Sequence, residues 1–149
     1  MAAVAVAGCG EQRIDVDETA KFAKSAVAKQ IGSAVEKVDC PDKVAVKADD
    51  AFTCSVVGAD GTRGDARFVQ KDDEGNLAFS APFLNTKAAE RIVRRQLRKR
   101  SKKATVSCPQ IVIVARNKRF RCRAKTGSET KTVFARQTDS KGNFTYRIG

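Results

Sequence analysis

The chain has 149 residues, 42% apolar and 31% charged, a balance that suits folded material and leaves room for one ordinary domain or two very small ones. No apolar run approaches the ~20 residues of a bilayer-spanning helix. With no histidine, neither a Ser-His nor a Cys-His catalytic pair can be built, and the net charge of +12 points to anionic partners.

In chain order, Met1 to Gly8 is a stretch of apolar and small residues that runs into Val6-Ala7-Gly8-Cys9. These four residues resemble the lipobox of bacterial lipoproteins, an aliphatic residue and two small ones before a cysteine. The resemblance implies that residues 1–8 are a truncated signal peptide and that the Cys9 thiol receives a diacylglyceryl group, anchoring the mature chain to the cell membrane. Cys9 is also the odd one of five cysteines, and a leftover cysteine in an exported chain is intermolecular, reactive or modified. Residues 9–14 read as a tether.

From Asp15 the pattern turns helical. Asp15 and Glu18 make a capping-box signal before Val16, Ala20, Ala23, Val27 and Ile31, which share one face, and Gly32 supplies the stop. Four short strands follow: one running into Cys40, then Phe52 to Val57, Asp65 to Lys71 and Asn76 to Ser80, with Asp60-Gly61 and Gly75-Asn76 as turn signals. The acidic turn Asp72-Asp73-Glu74 lacks the ligand spacing of a calcium loop and reads as a solvated hairpin.

The same elements then recur. Asn85 or Thr86 caps a second helix with a buried stripe of Ala88 or Ala89, Ile92, Val93 and Leu97. Strands run into Cys108, then span Phe120 to Lys125, Lys131 to Gln137 and Asn143 to Ile148. Cys40-Pro41 and Phe52-x-Cys54 map on Cys108-Pro109 and Phe120-x-Cys122, displaced by 68 positions. Gln70, Gly75-Asn76 and Phe79 map on Gln137, Gly142-Asn143 and Tyr146, displaced by 67. The chain is therefore two tandem units, residues 15–81 and 82–149. The fold class is α+β, each unit an N-terminal helix packed on a four-stranded antiparallel sheet with one disulfide.

Two identical Cys-Pro-to-Cys spacings, without the close Cys-x-x-Cys pairs zinc prefers, read as two disulfides, Cys40–Cys54 and Cys108–Cys122. That places the chain in an oxidising compartment outside the cytoplasm; the alternative is four buried free thiols in a cytosolic protein. Closing a loop of about fifteen residues is worth ~3 kcal/mol in the chain-entropy model, a large share of what so small a core supplies.

Charge divides the two units. Up to Ala81 there are 10 Lys/Arg against 14 Asp/Glu; from Pro82 onward there are 19 against 3. Arg91, Arg94, Arg95, Arg98 and Lys102 recur every three or four residues along the second helix, and Lys99, Arg100 and Lys103 thicken its end. Arg119, Arg121, Arg123 and Lys125 alternate with Phe120, Cys122 and Ala124, so period two sends these cations to the face opposite the disulfide. Helix and strand cations then lie on the two outer faces of a two-layer unit.

Val38-Asp39-Cys40-Pro41, Phe52-Thr53-Cys54, Gly58 to Thr62 and Asp72 to Asn76 together resemble a small domain of unknown function found in secreted proteins and lipoproteins of actinobacteria. The second unit keeps Cys108-Pro109, Phe120-x-Cys122 and Gly142-Asn143 but loses the Gly-x-Asp-Gly turn. The resemblance implies a location in the cell envelope and no activity. With no catalytic residue, cofactor or metal site in view, the sequence reads as a lipid-anchored, non-catalytic binding module. Its basic second unit contacts anionic lipid or acidic envelope polymers. The alternative is a secreted inhibitor-like or accessory module that binds another protein. Nucleic acid is disfavoured as a partner by the disulfides and by the lack of any nucleic-acid motif.

Overall fold

In the computed structural model, which describes residues 12–149, the twin spacing becomes a twin fold. Helix α1, Val16–Ile31, starts at Asp15, whose carboxylate accepts the Glu18 N–H at 3.0 Å. It stops at Gly32, at a φ of 81° that an L side chain resists. Helix α2, Thr86–Leu97, starts the same way, with the Asn85 side chain accepting the Ala88 N–H at 2.9 Å.

The buried stripes differ in detail from those read off the periodicity. In α1, Thr19 joins Ala23, Val27 and Ile31, while Val16 and Ala20 are half-buried; the Thr19 hydroxyl donates back to the Asp15 carbonyl at 2.8 Å, which satisfies it away from water. In α2 the buried positions are Thr86, Ala89, Glu90 and Val93, and Ile92 is 51% exposed instead of buried. The cause is Glu90. Its carboxylate accepts the Cys108 N–H at 2.9 Å and pairs with Lys87 at 3.0 Å, so the helix turns this edge to the sheet and Ile92 away from it.

The sheets are plain meanders. Strands β1 (Val35–Asp39), β2 (Ala51–Gly58), β3 (Arg63–Gln70) and β4 (Leu77–Ser80) pair antiparallel in chain order. Strands β5 (Thr105–Ser107), β6 (Arg119–Thr126), β7 (Glu129–Gln137) and β8 (Phe144–Ile148) do the same. Each helix covers one face of its sheet. Cys40 bonds Cys54 and Cys108 bonds Cys122.

The long loop after the first strand of each unit returns to pair with the chain just before the helix. Ile14 N–H donates to Val44 O and Val46 N–H to Gln12 O, both at 2.8 Å; Leu84 and Val112, then Val114 and Pro82, repeat the pattern. Residues 12–14, read from sequence as the end of a tether, are therefore part of the first unit, and Ile14 is buried. A buried glutamine pins each loop. Gln70, 1% exposed, accepts the Lys47 N–H and donates to Ala45 O; Gln137, 0% exposed, accepts the Ala115 N–H and donates to Ile113 O. A buried amide with both ends paired holds backbone that would otherwise strand its polar groups.

The two units are latched together. The β2–β3 turn of the first unit, Asp60 to Thr62, abuts the segment after Cys108 in the second. Gln110 N–H donates to Asp60 Oδ2 at 2.8 Å, and Ile111 N–H to the Thr62 hydroxyl at 3.0 Å. The Gln110 side chain donates to Ser33 Oγ and Ala34 O and accepts the Ala59 N–H. Beneath these bonds, Phe83 and Ile111 complete a core cluster with Val27, Ile31, Val35, Val56 and Ala66 of the first unit. The Gly-x-Asp-Gly turn kept only in the first copy is thus the docking element. Burial pushes the Asp60 carboxyl up, but hydrogen bonds from the Thr62 hydroxyl and from the Gln110 and Thr62 amides outweigh it and leave the pKa below the ordinary value.

Candidate functional site

The strongest concentration of unpartnered chemistry lies on the face of the β5–β8 sheet opposite α2. The core side of β6 carries Phe120, Cys122 and Ala124, packed with Ala89 and Val93 of the helix, so strand parity sends Arg119, Arg121, Arg123 and Lys125 outward. Register adds what periodicity along one strand cannot. Arg119 lies opposite Arg136 of β7, and Arg121 opposite Phe134, which in turn lies opposite Arg147 of β8. Six cations share this face. Directly opposed like charges are destabilising in a sheet, so the Arg119–Arg136 pairing works against the fold it sits on.

The centre of the face is organised by one ring. The guanidinium carbon of Arg121 is 5.3 Å and that of Arg147 4.3 Å from the Phe134 ring centroid. Arg136 donates through Nη2 to Asn117 Oδ1 at 2.7 Å. Together they line an open groove of ≈ 550 Å³ that also includes Arg119.

None of the three acids of the second unit opposes these arginines. Glu90 is buried under the helix, Glu129 pairs with Lys131 at 3.7 Å, and Asp139 is consumed by its own turn. The Asp139 carboxylate accepts from the Asn143 side chain and the Lys141 and Asn143 amides, which holds its pKa below the ordinary carboxylate value. Asp72 does the same in the first unit with Asn76 and Glu74, so the acidic turn is a hairpin closure, and Asp73 accepts the Ala48 N–H. No group of three or more potential metal ligands forms among the described residues.

The helix cations do not join this face. Arg91 and Arg95 are exposed on α2, across the sheet from the strand arginines, and Arg94 is half-buried. The helix ends at Leu97, so Lys99, Arg100, Lys102 and Lys103 belong to the turn that follows rather than to a helical stripe. Arg98 caps that turn, its Nε donating to Ala104 O at 3.2 Å. Cys9 lies outside the described residues. Periodicity along single strands does not mark out Arg136, Arg147 or Phe134. Phe134 had one visible signal, being an aromatic at the outward parity of its strand.

The arrangement is that of a two-unit scaffold, stapled in each half and carrying a cationic sheet face on one of them. No helix among the described residues is long and apolar enough to cross a membrane. The model of the family described as Domain of unknown function (DUF4333) matches residues 1–75 and again 76–142, and the chain belongs to this family, in two tandem copies. Comparison with curated proteins gives no match, and comparison with solved structures gives none either.

Proposed function

We propose that this chain is a lipid-anchored, non-catalytic binding module of the cell envelope, tethered through Cys9, whose second unit holds an anionic surface against the outer face of the β5–β8 sheet. The observation that carries the reading is the set of six cations on one face with every acid of the unit committed elsewhere. The two disulfides support an extracytoplasmic setting. The lipobox-like Val6-Ala7-Gly8-Cys9 supports the anchor. Two acyl chains would suffice for stable anchoring.

The test uses the full chain with Cys9→Ser, so that only the protein surface can bind. Co-sedimentation with vesicles rich in anionic lipid should be strong at low salt and fall steeply as salt rises, because exposed charges are screened within ~10 Å at 0.1 M. Absence of binding at low salt overturns the reading of the face. A salt-insensitive protein partner recovered in its place would favour the alternative, a secreted accessory module. The anchor is tested separately. Behind a complete lipoprotein signal peptide the wild type should partition into detergent and Cys9→Ser should not; equal partitioning removes the anchor.

A further inference from the structure

A field of charge needs only cations, yet the centre of this face fixes two of them in place. Phe134 stands between Arg121 and Arg147 in one row of the ladder, with a guanidinium from each neighbouring strand resting on its ring. A guanidinium drawn to an aromatic ring by its charge spends none of its N–H donors on an acceptor. Among the described residues, the arginine side chains with a hydrogen-bond acceptor are Arg98 and Arg136, and every ion pair is made by a lysine. Arg121 and Arg147 therefore lie against the ring, make no ion pair, and are unspent as donors; Asp60 of the first unit borders a hollow beside Arg121 and Arg123, but its oxygens accept from Thr62 and Gln110.

We infer that Arg121, Phe134 and Arg147 form a clamp for one phosphomonoester group, with Arg119 and Arg136 in the adjoining row. The inference rests on the proposed reading of this face as anion-binding and narrows it to a ligand class. A carboxylate presents two oxygens in a plane and is satisfied by a single guanidinium fork. A phosphomonoester presents three terminal oxygens and roughly −1.5 to −2 charge, enough to engage two guanidiniums that approach from different strands. Both guanidiniums are drawn to one ring before any ligand arrives, so less side-chain freedom is lost when the group binds.

Phosphatidylcholine vesicles doped to equal surface potential with either phosphatidic acid, a phosphomonoester, or phosphatidylglycerol, a phosphodiester, separate headgroup chemistry from charge. The Cys9→Ser full chain should bind the phosphatidic acid vesicles about tenfold more tightly, the worth of one added charge-assisted hydrogen bond. Phe134→Leu keeps every cation and should erase the preference while retaining salt-sensitive binding to both. Arg147→Lys keeps the charge without the planar fork and should erase it too, which guards against a folding defect peculiar to Phe134→Leu. Equal binding of the wild type to both vesicles overturns the clamp and leaves the anionic-surface reading standing. No binding to either overturns that reading as well. A preference that survives in both variants also overturns the clamp. Glycerol 3-phosphate, added as a soluble competitor, identifies the source: displacement from phosphatidic acid vesicles assigns the clamp to a free phosphomonoester, and persistence of the preference assigns it to the lipid headgroup.

Discussion

On the outer face of the first sheet, Thr53, Arg67 and Ser80 occupy the row that holds Arg121, Phe134 and Arg147 in the second. Around that row the first unit sets Lys37, Arg63 and Arg67 against Asp39 and Asp65, with Lys37 and Asp39 paired at 3.1 Å. The second sets six cations against none. Yet the opposite sides of the two sheets agree: the disulfide, the buried glutamine, the closing aspartate turn and the helix cap recur at matching positions. The helix side is close-packed, so each residue there is constrained by its neighbours. No helix covers the outer side in either unit, so its charge can change without disturbing the packed core. A duplicated fold can thus keep one copy as scaffold while the other acquires a surface.

The largest expected effect comes from giving the second face the residues of the first. Arg119→Ala, Arg121→Thr and Arg123→Ser together should lower affinity for anionic vesicles about a hundredfold, at ~1 kcal/mol per basic residue removed from the surface. Thermal unfolding should move little, since exposed substitutions of this kind usually stay within ~0.5 kcal/mol. The reciprocal triple, Ala51→Arg, Thr53→Arg and Ser55→Arg, placed in the stripped protein, should restore part of the binding. Binding unchanged in the stripped protein would move attention to Arg91 and Arg95 on the helix, whose replacement by Gln should otherwise weaken binding far less.

The second contrast is at the latch, where the units play unequal parts. A Cβ added at Gly64 would lie 2.7 Å from Phe83 Cε1 and 2.8 Å from Ile111 Cγ2, closer than packed atoms tolerate. Gly64→Ala should therefore destabilise the chain by about 1–3 kcal/mol in urea unfolding, the usual cost of overpacking. The register equivalent in the second unit is Lys131, opposite Ala124 as Gly64 is opposite Val56, so only the first unit leaves this position bare for its neighbour to approach. A first unit cut at Ala81 loses Phe83 and Ile111 and should not serve as an independently folded fragment.

Where the units agree, so should the losses. Gln70→Ala and Gln137→Ala each leave a backbone N–H and a carbonyl of the long loop without their partner, and each should cost about 1–3 kcal/mol. Equal effects would mark the peg as a property of the fold; an effect in one copy alone would break the symmetry.

Local and periodic features were legible in the sequence. Helix caps, strand alternation and the twin cysteine spacing act over a few residues or repeat exactly once, and they sufficed for two helices, eight strands and both disulfides. The outward direction of Arg119, Arg121 and Arg123 followed from period two alone. Arg136 and Arg147 stayed hidden because each is a single cation in its own strand, and only the ladder register brings them beside Arg121. Ile92 reads as inward because an apolar residue outranks a glutamate in any hydrophobicity pattern; the Cys108 N–H that draws Glu90 inward is 18 positions away. The latch was invisible for the same reason, being made of polar side chains whose partners lie some 50 positions off.

The smallest expected effect concerns acid. Asp60 donates nothing and accepts from the Gln110 and Thr62 amides and the Thr62 hydroxyl, and its folded pKa lies below the ordinary 3.8. A carboxyl whose pKa is depressed by folding stabilises the native state above its unfolded value, and that contribution is lost as pH falls through the folded one. Asp60→Asn removes the charge and turns one of the two accepting oxygens into an N–H donor that faces an amide N–H, so at neutral pH it should be less stable than the wild type. As pH falls through the lowered folded pKa the wild-type Asp60 is itself protonated, and the gap between the two proteins should narrow. Asp72 and Asp139 are depressed in the same direction and weaken both proteins equally in acid, so they cancel from the difference. A gap that persists unchanged from neutral pH into that acidic range would show that Asp60 acts through its accepting oxygens and not through its charge in holding the acidic unit to the basic one.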